Sequence, residues 1–260
     1  MKELKKIIIH AGRYHADDVA ADAWLKFMGY DCPVVRTYQI TEDMLSDPTV
    51  AVIDIGQRYQ PELNNYDHHQ CGDIPCASSL VLKHFPPTDS RLKDHLSKFL
   101  FDYIDKVDRG HILLPTHPEP TVCSVIRSMN EAGVSYQDAV QYMLTTIKTF
   151  VAAGLSAIQD QDTWHNDVNK FGYYATIEAK PPATWRDFAK KEDVMFLMHP
   201  NPRKERSYSI TSRDTNIMTI DKAEGQTFLH ANGFIASYET KADALKHIRE
   251  LANRYGTKFN

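Results

Sequence analysis

The chain has no hydrophobic run long enough to cross a membrane: the apolar stretch nearest its start, Ile7-Ile8-Ile9, stops at His10, whereas a spanning helix needs about 20 apolar residues. The same shortness denies the segment from Met1-Lys2-Glu3-Leu4-Lys5-Lys6 through the three isoleucines the apolar core of a secretory signal. A cytoplasmic protein is therefore expected. Cysteine is sparse, and Cys32, Cys71, Cys76 and Cys123 in a chain without such a signal read as reduced thiols. The Cys71 to Cys76 spacing is loose for a zinc knuckle. An excess of one charge is also missing. A formal charge of -4 and a pI near 6.3 provide no global basic field, which excludes indiscriminate duplex binding and leaves room only for a local basic groove. No internal repeat or low-complexity segment is found.

What is present is ordinary globular material, 260 residues with 42% hydrophobic and 25% charged content, enough for one large domain or two smaller ones around a well-formed core. Lys6-Ile7-Ile8-Ile9-His10 is a β-branched run suited to a strand buried on both faces. It is succeeded by a turn at Ala11-Gly12, and then by a helix with Ala20, Ala21, Trp24, Leu25 and Met28 on one face and Gly29 at its close. His10, His15 and Asp17 thus lie between the carboxyl end of a strand and the amino end of a helix, where open α/β sheets form ligand sites. Asp17 or Asp18 serves equally as a helix N-cap, which leaves both histidines unexplained. Cys32 to Tyr38 and Thr49 to Gly56 read as the next strands, and Asp54 inside the second is costly unless paired or metal-bound. The triplet Asp67-His68-His69 comes after a run of turn-formers and combines carboxylate with imidazole, a set that suits Mn, Zn, Fe or Mg.

Ala77 to Phe85 suits a helix whose serines lie at its amino end, free to meet a phosphate or carboxylate. A further helix from about Ser90 delivers Asp105 and Asp108 just before Gly110. Tyr136 to Trp164 reads as one long or bent helix with Gly154 as a weak point, and 166–170 is the expected boundary. Beyond it, 171–177, 194–198 and 207–211 read as strands of a second small sheet, closed by a helix from Ala242 to about Tyr255. Between Lys180 and Arg213, eight Lys/Arg face four acids, the reverse of the global balance, which suits a phosphate-rich ligand.

Five motifs in order, His10-x4-His15-x-Asp17-Asp18, Val52-Ile53-Asp54-Ile55-Gly56, Tyr66-Asp67-His68-His69-Gln70, Asp105-Lys106-Val107-Asp108-Arg109-Gly110 and His230-Ala231-Asn232-Gly233-Phe234-Ile235, resemble the MYG-type (UPF0160-like) branch of the DHH phosphoesterase superfamily. The resemblance implies an α/β fold with a mainly parallel sheet flanked by helices, a DHH-type domain, plus a smaller α+β carboxy-terminal domain closing over substrate. It sets the expected domains at 1–135, a connecting helix at 136–168 and a substrate-binding domain at 169–260. By position, His10, His15, Asp17, Asp54, His68 and Asp108, preferred over Asp105, become metal ligands. Asp67, His68 and His69 become the catalytic triplet, and Arg213, His230, Asn232 and Gly233 hold substrate phosphate. The expected cofactor is a divalent metal, Mn2+ before Mg2+, with two ions per site. The expected partner is single-stranded RNA, a short oligonucleotide or a nucleotide, with no membrane, and assembly as a homodimer stays open. Departures from the branch include Asp17-Asp18 where many relatives have Asp-Glu, and Arg206-Ser207-Tyr208 in place of a Gly-Trp-Gln segment.

The physical reason for the constellation is that two divalent ions about 3.5 to 4 Å apart can activate a water on one side of a phosphoester and stabilise the leaving oxygen on the other. The reading is a metal-dependent phosphoesterase, a 3'-5' exonuclease or nanoRNase in particular. Its alternatives are a pyrophosphate or small-nucleotide phosphatase of the same superfamily and a metal-holding binding module without turnover.

Overall fold

The structure, a computed structural model, describes residues 3–114 and 120–259. The chain divides into two compact units, one ending at Leu155 and the other beginning at Ser156.

The first unit runs β1 (Lys6–His10), α1 (Ala16–Phe27), β2 (Val34–Thr37), α2 (Glu42–Ser46), β3 (Val50–Ile53), β4 (Tyr59–Gln60), β5 (Asn65–Tyr66), α3 (Ala77–His84), α4 (Ser90–Leu96), α5 (Asp102–Asp108) and α6 (Val122–Glu131), and includes the start of α7 (Tyr136–Asn166). Its sheet has the order β2-β1-β3-β5-β4, parallel throughout except for β4, which pairs antiparallel to β5 at the edge. The isoleucines of β1 and all of β3 are buried, each such side chain stabilising the fold by about 1.5–3 kcal/mol of removed apolar surface. Leu45 of α2 covers Ile8, Val50 and Val52. Trp24 of α1 is fully buried, and its indole N–H donates to the Phe85 carbonyl at 2.9 Å, fastening the end of α3.

Two expectations about helices are corrected. The helix from Ser90 is not uniform: a π-helical stretch, Ser97–Phe101, joins α4 to α5, so the α5 residues are rotated relative to a simple 3.6-residue count. Gly154 is no weak point, because α7 continues unbroken through it. A Cβ there would lie 2.7 Å from the Leu92 side chain and 2.9 Å from His95, so the glycine serves close approach to α4.

The second unit contains β6 (Asn169–Phe171), β7 (Tyr174–Thr176), α8 (Trp185–Lys191), β8 (Phe196–Pro200), β9 (Tyr208–Ser212), β10 (Gln226–Leu229), β11 (Ile235–Tyr238) and α9 (Lys241–Phe259). Its mixed sheet has the order β10-β11-β9-β8-β7-β6. Ile248, Leu251 and Tyr255 of α9 join Phe196, Met198 and Ile210 in one core cluster, and Trp164, Trp185 and Leu197 belong to a second. The expected single strand over 171–177 is instead a hairpin that turns at Gly172, whose φ of 64° places it in the left-handed region. Both units are mixed α/β. Among the described residues no helix is long and apolar enough to cross a membrane. Cys71 is exposed while Cys76 is buried at the start of α3, and all four cysteines are free.

Candidate metal centre

Strand register brings the site together. Ile9 pairs with Ile53, and Ile53 with Tyr66, so His10, the last residue of β1, and Asp54 and Asp67, the first beyond β3 and β5, lie at the same carboxyl edge of the sheet. The chain departs from β3 through a left-handed turn with φ of 57° at Asp54, 99° at Gly56 and 51° at Gln57. Two non-glycine residues in that region cost on the order of 1–3 kcal/mol each. The turn is held because Asp54 N–H donates to the Tyr66 carbonyl at 3.1 Å and Gln57 N–H donates to Asp67 Oδ2 at 2.5 Å.

The amino end of α1 supplies two buried carboxylates. Asp17 turns both oxygens to α3, accepting from Ala77 N–H at 2.9 Å and Ser78 N–H at 2.7 Å. The amino end of α3 therefore meets a carboxylate from its own chain. Asp18 accepts from His15 N–H at 2.7 Å and Val19 N–H at 2.9 Å, fixing the loop that carries His15. Asp18 thus belongs to the cluster, a member absent from the ligands expected by sequence. Its position three residues after His15, the spacing of a capping box, is the signal that could have found it.

These groups face one another. His10 Nε2 lies 3.4 Å from Asp18 Oδ2 and 3.4 Å from Asp54 Oδ2. His68 Nε2 lies 3.3 Å from Asp54 Oδ1, 3.1 Å from Asp108 Oδ2 and 4.0 Å from Asp17 Oδ2. Each oxygen of Asp54 therefore addresses a different imidazole. His15 is exposed, with its ring 5.5 Å from that of His10. Three overlapping groups have ligand atoms close enough to hold a cation: His10, His15 and Asp54; Asp54, His68 and His69; Asp17, His68 and Asp108.

The hydrogen-bond inventory tests whether a metal fits. His10 Nδ1 lies 3.0 Å from the Ala11 carbonyl, which can only accept, so Nδ1 carries the proton and Nε2 of the neutral ring presents a lone pair. That lone pair points at carboxylate oxygens, which are also acceptors. His10 Nε2, Asp18 Oδ2, Asp54 Oδ1 and His68 Nε2 are buried without a hydrogen-bond partner among the described residues. Such an array requires protons or cations between its members. Its electrostatics say the same. Burial, with Asp54 and Asp108 nearby, raises Asp17 to about 7, and burial raises Asp18 to about 8 against the pull of His10. Asp54 and Asp18 lift His10 to about 9. Burial works against charge on His68, but Asp108 and Asp54 outweigh it and raise the ring to about 10. Burial likewise opposes ionisation of Asp54, yet His10 and His68 hold its carboxyl down to about 2. A set of imidazoles and carboxylates without thiolate fits a divalent cation of intermediate or hard character.

The remaining sequence candidates separate by what they touch. Asp105 is committed elsewhere, accepting from Cys76 N–H at 2.7 Å and from Arg109 at 2.9 and 2.6 Å, so Asp108 is the one that faces His68. Asp67 does not face the cluster. Its Oδ1 lies 2.6 Å from His69 Nδ1 and also accepts His69 N–H at 3.1 Å, which makes it the residue that orients His69. His69 remains more than half exposed, with Nδ1 3.6 Å from Asp54 Oδ1.

In the second unit the expected phosphate contacts are not alike. Arg213 is nine-tenths buried, and its guanidinium donates to the carbonyls of Ala189 at 3.1 Å and Val194 at 3.0 Å. These bonds tie the end of α8 and Val194, ahead of β8, to the end of β9, a structural use of Arg213 beside the phosphate contact expected of it. Gly233 is also structural. With φ of 63°, it forms the β10–β11 turn, and a Cβ would lie 2.7 Å from Thr219 Cβ and 2.8 Å from the Ile220 carbonyl oxygen. Its amide donates to the His230 carbonyl at 2.8 Å. Asn232 is exposed at the same hairpin tip and His230 is half-buried, its Nδ1 accepting Asn232 N–H at 3.1 Å.

Fold and site define a class: an α/β protein with a histidine and aspartate centre, able to hold divalent cations, at the carboxyl edge of a parallel sheet. The family model MYG1_exonuc, an uncharacterised protein family (UPF0160), matches residues 6–85, the span that carries β1, β3, β5 and the Asp67-His68-His69 triplet. The chain is 24% identical to "MYG1 protein" of Dictyostelium discoideum over 315 aligned positions, covering 92% of this chain and 94% of the relative. Over residues 6–85, and more distantly along most of its length, the chain is thus similar to the MYG-type (UPF0160) family. A solved structure of a pGpG-specific phosphodiesterase from Vibrio cholerae aligns over 98% of this chain and 99% of its own, at 10% identity and a TM-score of 0.30, a likeness too distant to inform the site.

Proposed function

We propose that this protein is a divalent-metal-dependent phosphoesterase of the DHH type, a 3'-5' exonuclease that shortens RNA or short oligonucleotides. The observation that carries the reading is the buried array of orphaned acceptors on His10, Asp18, Asp54 and His68. The family label supports the phosphodiester substrate. Asp17, Asp18, Asp54 and Asp108 bring four carboxylates to one place, a charge that two divalent ions balance. His10, His15 and Asp54 would hold one ion and Asp17, His68 and Asp108 the other, with Asp54 within reach of both groups. Mn2+ is favoured, with Mg2+ next, because the set combines carboxylate oxygens with imidazole and has no thiolate. When bound, the ions would supply Lewis-acid charge to a phosphoester and lower the pKa of water.

The chain's own residues do the rest. Asp17 and Asp105 receive the first amides of α3 and fix that helix end. Asp67 holds His69 Nδ1, leaving Nε2 to take a proton from water or give one to a departing oxygen. His230 and Asn232 are proposed as substrate contacts at an exposed hairpin tip. Replacing His230 with alanine should leave metal content unchanged and raise KM for an oligonucleotide.

The test is a substrate panel of short RNA, short DNA, pyrophosphate and an artificial phosphodiester, each with Mn2+, Mg2+ and Zn2+ added to metal-free protein. Stepwise release of mononucleotides from the 3' end of short RNA is expected with Mn2+. Full metal occupancy without turnover of any of the four would overturn the reading in favour of a binding module.

A further inference from the structure

A cavity of about 330 Å³ in the first unit adjoins the candidate metal centre. Three kinds of lining meet in it: the cluster residues His15, Asp17 and Asp108; the apolar side chains of Ile104, Val107, Leu114 and Cys123; and the cations Arg13 and Arg127. This combination restricts the occupant. Pyrophosphate would use the cluster and the arginines but leave the apolar wall uncovered, and a purely apolar molecule would leave both charged linings unpaired. A nucleotide carries a flat apolar base and a phosphate on one frame. The volume lies near the lower bound of about 300 Å³ for small-molecule sites, room for a single nucleotide.

We propose that this cavity receives the terminal nucleotide of the substrate, with the base packed against Ile104, Val107 and Cys123 and the phosphate between the Asp17–His68–Asp108 group and the arginines, and that it accepts any base. The proposal rests on the phosphoesterase reading for the meaning of the bound nucleotide. Indifference to the base is a consequence of the hydrogen bonds. The Tyr14 hydroxyl donates to the Val134 carbonyl at 2.8 Å, and the Asn130 amide donates to the Tyr14 carbonyl at 3.1 Å. The Tyr14 hydroxyl and an Asn130 N–H are thus engaged with the backbone, and Glu131 is turned to Arg127, so apolar packing, to which every base has a face, is the main contact left for the base. The arginines are differently placed. Arg127 pairs with Glu131 at 2.9 Å, but both side chains are more than half exposed, and a pair of that kind is weak enough to yield to a phosphate.

The experiment measures equilibrium binding of AMP, GMP, CMP and UMP to the Mn2+-loaded protein by calorimetry, alongside binding of inorganic phosphate. Two variants are compared: Cys123→Phe, which fills the cavity from α6, and Arg127→Glu, an exposed change that does not depend on repacking. All four nucleotides should bind within about threefold of one another. Each variant should weaken them about tenfold or more, the range that a lost pocket contact commands, and Cys123→Phe should spare phosphate. Should Cys123→Phe fail to fold, Arg127→Glu and Arg13→Glu decide. No nucleotide binding by the wild type, unchanged affinity in the folded variants, or discrimination among bases beyond about a hundredfold would overturn the proposal. Cavity-dependent nucleotide binding without turnover of any phosphodiester would remove the enzymatic reading and leave the cavity assignment standing. Turnover of short RNA with nucleotide affinity untouched by the variants would do the reverse.

Discussion

At the scale of residues, the site shows that identity and use are separate. Asp105 and Asp108 stand three apart on one helix, yet Asp105 commits its oxygens to Arg109 and the Cys76 amide while Asp108 reaches His68 at 3.1 Å. Asp108→Asn should therefore lower bound Mn2+, measured by elemental analysis, with little change in melting temperature of the metal-free protein. Asp105→Asn should keep the metal and lose stability by about 1–3 kcal/mol, the cost of leaving a buried charged partner and an amide poorly satisfied. Asp54→Ala should remove both metal and turnover, because one carboxylate addresses two imidazoles, and retention of both would refute the shared-ligand role. Arg213 makes the complementary case. Its residue type, in a locally basic stretch, points to phosphate, whereas its guanidinium serves two backbone carbonyls 24 and 19 positions earlier in the chain. Sequence displays which side chains carry donors and is silent about which donors the backbone has already taken. The histidines and aspartates of the centre are legible because so many hard-to-bury groups at strand and helix ends lack any cheaper explanation.

At the scale of elements, legibility tracks periodicity. Lys6–His10 is the strand expected from its β-branched run, and α1, α3 and α7 obey the 3.6-residue spacing. The π-helical stretch Ser97–Phe101 and the split of 171–177 into a hairpin leave no such trace, since one is a local change of winding and the other depends on a single dihedral at Gly172. Glycines are the least readable, because the same residue serves a turn, a close approach or both. Gly172 and Gly233 separate these uses: their φ angles are 64° and 63°, but a Cβ at Gly172 meets nothing within 4 Å whereas one at Gly233 strikes Thr219 and the Ile220 backbone. Alanine at either position incurs the left-handed cost of about 1–2 kcal/mol. Gly233→Ala should cost about 1–3 kcal/mol more, the penalty of forcing atoms into filled space. Equal losses for the two variants in urea unfolding would mean that the hairpin tip relaxes freely and that Gly233 is there for its dihedral alone.

At the scale of the whole molecule, the candidate metal ligands all precede Arg109 and belong to the first compact unit, while the second unit carries its own ionisable core group, His199. His199 Nδ1 lies 2.9 Å from the Pro200 carbonyl, so it donates there, and Nε2 lies 3.0 Å from the Thr211 hydroxyl, from which it can accept only as the neutral ring. Burial holds its pKa below the ordinary 6.5. The folded state therefore binds a proton less readily than the unfolded chain, and by linkage stability is full above about pH 6.5 and falls as pH drops through the window between 6.5 and the lowered folded value. On the proposed reading Mn2+ would act on the other unit, stabilising whatever binds it by about 2.7 kcal/mol at a hundredfold excess over Kd. Hydrogen exchange read separately for amides before Leu155 and after Ser156 distinguishes the two effects. Adding Mn2+ at pH 7.5 should slow exchange in the first set, and Asp54→Ala should abolish that slowing. Taking the pH from 7.5 to 5.5, with rates corrected for intrinsic pH dependence, should cost the second set protection in the wild type. His199→Gln should start from lower protection and lose less of it over the same range. Metal-induced protection confined to residues after Ser156 would move the metal centre out of the first unit, and a pH response unchanged by His199→Gln would assign the acid sensitivity to another group.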